Sequence, residues 1–95
     1  MEFKKNIKIN GFIFTLKPST RKYKKYDVFM IINNDKKYIT SFGDLRYQHY
    51  KDKIGLYNNL DHNDKERRKR YRQRHSKDYI NDPFMAGFWS YNFLW

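Results

Sequence analysis

The sequence predicts an α+β fold: a small antiparallel β-sheet from the N-terminal half, packed with two or three short helices from the C-terminal half. Three observations predict it. Four β-prone runs separated by Asn-containing turns or a basic connection fall before residue 43. A dense cationic stretch with a helix-capping start follows residue 62, and the last 13 residues hold six aromatic side chains and no charge. A single domain over 1–95 accommodates all three, as a β-rich half (1–43) and a helical half (44–95) ending in the aromatic tail. Domains of about 50–200 residues commonly close one core.

The first element is a hairpin. Lys5 to Ile9 and Phe12 to Lys17 flank Asn10-Gly11, the pair that tolerates the positive φ angles of a two-residue type I′ turn. Phe12, Phe14 and Leu16 alternate with Ile13 and Thr15, as in a half-buried strand. Residues 18–25 combine turn formers with four cations in their last five positions. That predicts an exposed connection and a first basic cluster at Lys22, Lys24 and Lys25. Tyr26 to Ile32 and Lys36 to Phe42, around Asn33-Asn34-Asp35, complete a meander.

Gly43-Asp44 changes the texture. Asp44 as an N-cap, Tyr47, Tyr50 and Ile54 at helical spacing, and Gly55 as a C-terminal cap predict a short helix over 45–54. Leu56 to His62 reads as a loop. Asn63, with Glu66 three residues on, predicts a capping box and a helix to about Lys77. Asp82-Pro83 predicts the start of the last helix, because Pro at the first helical position gives up only an N–H that had no partner.

The middle helix is the most unusual stretch. Arg67 to Arg74 holds six cations in eight residues, with Lys65 and Lys77 just outside. At ~100° per residue Lys65, Arg67, Arg68, Lys69, Arg70, Arg72, Arg74 and Lys77 cover the whole circumference. Such a helix gains little from core burial and suffers like-charge repulsion, which an anion lying along it would relieve. The whole chain carries 21 Lys+Arg against 10 Asp+Glu, a net +11 and a pI near 9.9. That balance suits nucleic acid, an anionic membrane surface or an acidic protein.

Phosphate contacts by this helix, widened by Lys22, Lys24 and Lys25, predict a nucleic-acid partner, DNA before RNA. Little sequence specificity is expected, since nothing fixes a base-reading pattern. The same run also reads as an import signal or as a solvated face. Tyr23, Tyr26, Tyr47, Tyr50 and Tyr71 lie near cations and would stack on exposed bases where they are not core.

High charge alone would suit a disordered chain, but nine Tyr, eight Phe and two Trp in 95 residues predict a folded one. No cysteine is present, so neither disulfides nor thiolate-bound zinc hold the fold. In the tail, Phe84, Phe88 and Trp95 share one helical face, with Met85, Trp89 and Phe93 beside it. The first expectation is that the tail packs over the sheet and completes the core. The alternative is a docking surface for a second copy or another protein. Ending on Trp95 would leave a carboxylate to meet a cation.

No Gly-rich phosphate loop, nucleophile elbow or Cys is present, so no enzyme activity, metal or cofactor is expected. Asp61-His62-Asn63-Asp64 with His75 resembles in part the metal and base residues of a His-Asn-His nuclease. The hairpin expected between them is replaced by the basic helix. His49, His62 and His75 without cysteine are a sparse ligand set for zinc. Loop shaping and helix capping are the preferred roles of His62 and Asp61.

No apolar run follows Met1, and no stretch approaches the ~18 apolar residues of a membrane span. The expectation is a soluble protein, intracellular or packaged in a particle, with no membrane partner. A single Ala and a single Val beside abundant Lys, Asn, Ile, Tyr and Phe are the usage of an AT-rich coding sequence.

An ordered series of short motifs runs through residues 36–95. They are Phe42-Gly43-Asp44, Arg46-Tyr47, Tyr50, Gly55-Leu56-Tyr57, Leu60-Asp61-His62-Asn63-Asp64, Arg67-Arg68, Tyr71, Arg74-His75, Asp82-Pro83, Trp89-Ser90 and Leu94-Trp95. This series resembles a family of short, basic, uncharacterised proteins of large (giant) DNA viruses; the hairpin at 5–17 is outside the resemblance. The resemblance implies a viral source, with the virion and the viral factory in the host cytoplasm as the expected location and nuclear import through the basic segment. It carries over no catalytic residue. On this reading the protein binds duplex DNA without sequence preference, in genome packaging or an accessory role. The second reading is a structural interaction module of the virion, docking a virion protein or a second copy through the aromatic tail.

Overall fold

Asn10 and Gly11 adopt φ angles of 52° and 83°, and Asn33 and Asn34 adopt 49° and 69°. Both turns therefore have the positive angles that match the twist of paired strands. In the computed structural model, which describes residues 3–95, these turns join β1 (Lys5–Ile9) to β2 (Phe12–Pro18) and β3 (Lys24–Ile32) to β4 (Asp35–Asp44). The four strands form one antiparallel sheet in the order β1-β2-β3-β4. With the two helices that follow, the fold is α+β.

Register decides which residues are core, because strand side chains alternate between faces. Phe14 pairs with Met30, Leu16 with Val28, and Tyr26 with Phe42. That face, with Ile54, Trp89 and Leu94, is the buried core. Each such apolar side chain contributes roughly 1.5–3 kcal/mol on burial. The opposite face carries the pairs Ile13 with Ile31, Thr15 with Phe29, and Asp27 with Ser41.

Helix α1 spans Lys65–Arg74 and α2 spans Ala86–Phe93, with a single 3-10 turn at Asn58–Leu60. The cap of α1 is Asp64, whose carboxylate accepts from the N–H groups of Glu66 and Arg67 at 3.0 and 3.2 Å. The cap therefore lies one residue beyond Asn63, which turns left-handed at φ 55°. The helix ends at Arg74 and not at Lys77, where His75 departs from helical geometry and bonds Asp78.

Asp82-Pro83 does not begin α2. Asp82 instead closes a turn, accepting from Phe84 N–H at 3.0 Å and Met85 N–H at 3.0 Å. The Pro83 carbonyl receives Trp89 Nε1–H at 2.7 Å. That bond satisfies the indole in the core.

The expected helix over 45–54 is absent. Its backbone donors are claimed elsewhere: Arg46 N–H by the Asp44 carboxylate, His49 N–H by the Leu60 carbonyl, and Asp52 N–H by the Asp61 carboxylate. Lys51 and Lys53 donate to the carbonyls of Leu94 and Phe93. Acidic side chains that bond nearby backbone compete with helix in this way. Gly55 caps no helix; at φ 109° it donates to Asp52 Oδ1.

The connection 18–25 is only partly as expected. Lys24 and Lys25 belong to β3, and Lys25 is 2% exposed. A Cβ at Gly43, whose φ is +77°, would come within 2.8 Å of Lys25 Cδ. Gly43 is what makes room for that stem.

Candidate nucleic-acid interface

α1 is held to the fold by three side chains on one edge. Tyr71 stacks on Trp95 with ring centroids 4.2 Å apart, and its hydroxyl meets Ser90 Oγ at 3.1 Å. Arg68 Nε and Arg72 Nε donate to the Trp95 main-chain oxygen at 2.8 and 3.1 Å, and Arg72 also reaches the Tyr91 carbonyl. Guanidinium groups at the last carbonyls of α2 satisfy acceptors that have no partner within the helix and meet its negative end. The helix thus has a packed edge, contrary to the expectation of a surface polar all round. Arginine, with its planar fork and apolar stem, supplies much of it.

Lys65, Arg68, Lys69, Arg72, Gln73 and Ser76 recur at steps of three and four and form one continuous stripe. With Tyr91 of α2, they line a shallow groove of about 520 Å³. Arg72 lies over the Tyr91 ring at 4.3 Å and Arg68 over Tyr50 at 4.9 Å. Among the described residues, no Lys or Arg of α1 forms an ion pair with an Asp or Glu side chain. The fold thus orients Arg68 and Arg72 at the end of α2.

Lys65, Lys69, Arg70, Arg74 and Lys77 are exposed. Arg67 is half-buried and donates to Gln48 Oε1 at 3.2 Å. Lys22 and Lys24 are exposed, and Lys24 borders a second cleft of about 290 Å³ shared with Gln48, Tyr71 and Trp95. Lys25, at the floor of that cleft, is buried: its Nζ donates to the Tyr47 carbonyl at 3.1 Å. Burial brings its pKa down to about 8, against the pull of Asp52, Asp44 and Asp61. Its place in the first basic cluster is corrected by that burial.

In the tail, Trp89 and Leu94 are fully buried, Phe88, Phe93 and Trp95 pack partly buried against the core, and Phe84 is 43% exposed. Trp89 contacts Phe14 edge-on and Phe42 in a stack. Among the tyrosines, Tyr26 is buried, whereas Tyr23 and Tyr47 are exposed with Arg46 close to both rings.

The polar centre beneath the irregular segment was not foreseen. Buried Asp52 accepts from Tyr26 Oη–H and from the N–H groups of Ile54, Gly55 and Tyr57. Burial foremost, then Asp52, pushes the Tyr26 hydroxyl far above its ordinary pKa. His49, fully buried, bonds Asp61 Oδ1 through Nε2 at 2.6 Å. Burial and Lys25 lower its pKa against the opposing effect of Asp61. Aspartates spaced among Gly and Asn, at 44, 52, 61 and 64, were the available signal, since this residue type habitually caps turns.

His62 accepts Asp64 N–H at Nδ1, and its ring lies 5.1 Å from that of Trp95. His75 bonds Asp78 and stacks on Tyr71. Among the described residues, no three His, Asp or Glu side chains are grouped to hold a metal ion. Among the described residues, no helix is long and apolar enough to cross a membrane. The chain matches no model of a known protein family, no curated protein and no solved structure.

Proposed function

We propose that the protein binds duplex nucleic acid, DNA before RNA, through phosphate contacts and without sequence preference, with α1 as the contact. The observation that carries this reading is the stripe Lys65, Arg68, Lys69 and Arg72 along an open groove, without an Asp or Glu side-chain partner among the described residues. Arg68 and Arg72 are anchored through Nε at the Trp95 main-chain oxygen. Their order is established before a ligand arrives, which reduces the entropy lost on binding. Phosphates neutralised here would release counterions, the main source of sequence-independent affinity.

A role in a giant-virus particle or factory, in genome packaging or as an accessory factor, is the setting this chemistry suits; it rests on the sequence resemblance alone. The other reading, a virion module docking through its tail, loses most of its surface, because Trp89 and Leu94 are core and Phe88, Phe93 and Trp95 pack on it.

A variant with Lys65, Lys69, Arg70 and Arg74 changed to Gln tests the proposal. These four are exposed, so the fold should persist while duplex DNA affinity drops by more than about tenfold. Unchanged affinity in a folded variant would refute it.

A further inference from the structure

Helix α2 and the residues around Ile54 pack on one face of the sheet, through Phe14, Tyr26 and Phe42. The other face is outside that core. Phe29 and Tyr38 are a register pair on it, with ring centroids 5.8 Å apart at 73°. Tyr38 is 39% and Ile13 43% exposed. Arg21 extends over the Tyr38 ring, its Cζ 4.4 Å from the centroid.

Asp27 organises this face. Its carboxylate accepts from Ser19 Oγ at 2.5 Å, Ser41 Oγ at 2.6 Å and Thr20 N–H at 3.2 Å, which fixes the turn that presents Arg21. Burial alone would raise its pKa, but these donors hold it below the ordinary value. Between that turn and Phe29 lies a hollow of about 390 Å³ rimmed by Lys17, Pro18 and Thr20. Its size falls within the ~300–1,000 Å³ of small-ligand sites. Lys8 stands beside Ile13 on the adjoining strand.

We propose that this face binds unpaired bases of single-stranded nucleic acid. Flat aromatic rings beside cations are what such strands require: bases stack on the rings or on a guanidinium plane, and phosphates follow the positive charge. Bases stack at Phe29, Tyr38 and Arg21, and the backbone passes Lys8. A second copy is disfavoured as occupant, because joining two such faces would bring Lys8 and Arg21 against their like, while the Asp27 carboxylate is already bonded internally. The site is independent of the phosphate contact on α1, and each can fail alone.

Fluorescence anisotropy with a labelled oligothymidine strand and an abasic strand of equal length tests it. The wild type should bind the base-bearing strand roughly five- to a hundredfold more tightly. Changing Phe29→Leu and Tyr38→Leu, which keeps apolar bulk and removes the rings, should abolish that ratio and leave duplex affinity unchanged. Should that variant unfold by circular dichroism, Arg21→Gln serves instead and should reduce the ratio. The α1 glutamine variant should lose duplex affinity and keep the ratio. Equal affinity of the wild type for both strands, a ratio that survives loss of the rings or, if they cannot be removed, loss of Arg21, or a dimer that Ile13→Lys dissolves would each overturn the proposal.

Discussion

The Tyr71 ring lies flat on the indole of Trp95, with centroids 4.2 Å apart and planes 6° from parallel. This contact, bracketed by the Arg68 and Arg72 bonds to the Trp95 main-chain oxygen, attaches a helix of cations to an aromatic core. Tyr71→Ala should therefore cost about 2–4 kcal/mol in urea denaturation, as for removal of a large packed side chain. It should also speed hydrogen exchange throughout α1. Tyr71→Phe, which loses only the bond to Ser90, should cost about 0.5–1.5 kcal/mol.

Asp52 should prove the most sensitive polar position. Its carboxylate satisfies three backbone N–H groups and the Tyr26 hydroxyl. Asp52→Ala would leave these donors without their acceptor, those of Tyr26 and Ile54 in the buried interior, at a cost of about 3–5 kcal/mol. Asp52→Asn retains one acceptor oxygen and should cost less, so equal losses in the two variants would count against this account.

Gly87 allows the segment before α2 to pass close by. A Cβ there would lie 2.1 Å from the Asp78 carbonyl oxygen, a backbone atom that cannot swing aside. Gly87→Ala should destabilise by about 1–3 kcal/mol, the usual cost of overpacking, readable as a lowered Tm. A variant with unchanged Tm would show that the 75–85 segment yields freely.

Stability should rise with pH in two windows. The folded pKa of His49 lies below its ordinary 6.5, through burial and Lys25. Below pH 6.5 the unfolded chain takes up a proton that the folded chain resists, so stability present above that pH is lost as the pH falls through the folded value. Lys25 titrates near 8 when folded and 10.5 when exposed. Between these values the unfolded state holds more protons, so stability climbs again. Lys25→Met should flatten the upper rise in thermal melts, and His49→Gln should weaken the acid loss, which His62 shares in the same direction.

Turn chemistry made the sheet legible in the sequence. Asn10-Gly11 and Asn33-Asn34 supply the positive φ angles, and the alternation of Phe14 and Leu16 with Thr15 orients β2. The 45–54 segment was misread because Tyr47, Tyr50 and Ile54 match helical spacing by coincidence. Ile54 enters the core, Tyr50 meets His62 and Tyr47 is exposed, and distant carbonyls and aspartates take the backbone donors. Of the cations, the density along α1 was visible. The division between anchored Arg68 and Arg72 and solvent-facing Lys69 and Arg70 was not, since it depends on where the end of α2 lies.

The central claim, that α1 meets phosphates, is tested most directly by duplex DNA affinity across a salt series. The five exposed cations Lys65, Lys69, Arg70, Arg74 and Lys77, joined by the remaining donors of Arg68 and Arg72, predict a slope of log K against log salt of about −4 to −6. A slope shallower than about −2, or no binding near 50 mM salt, would contradict it.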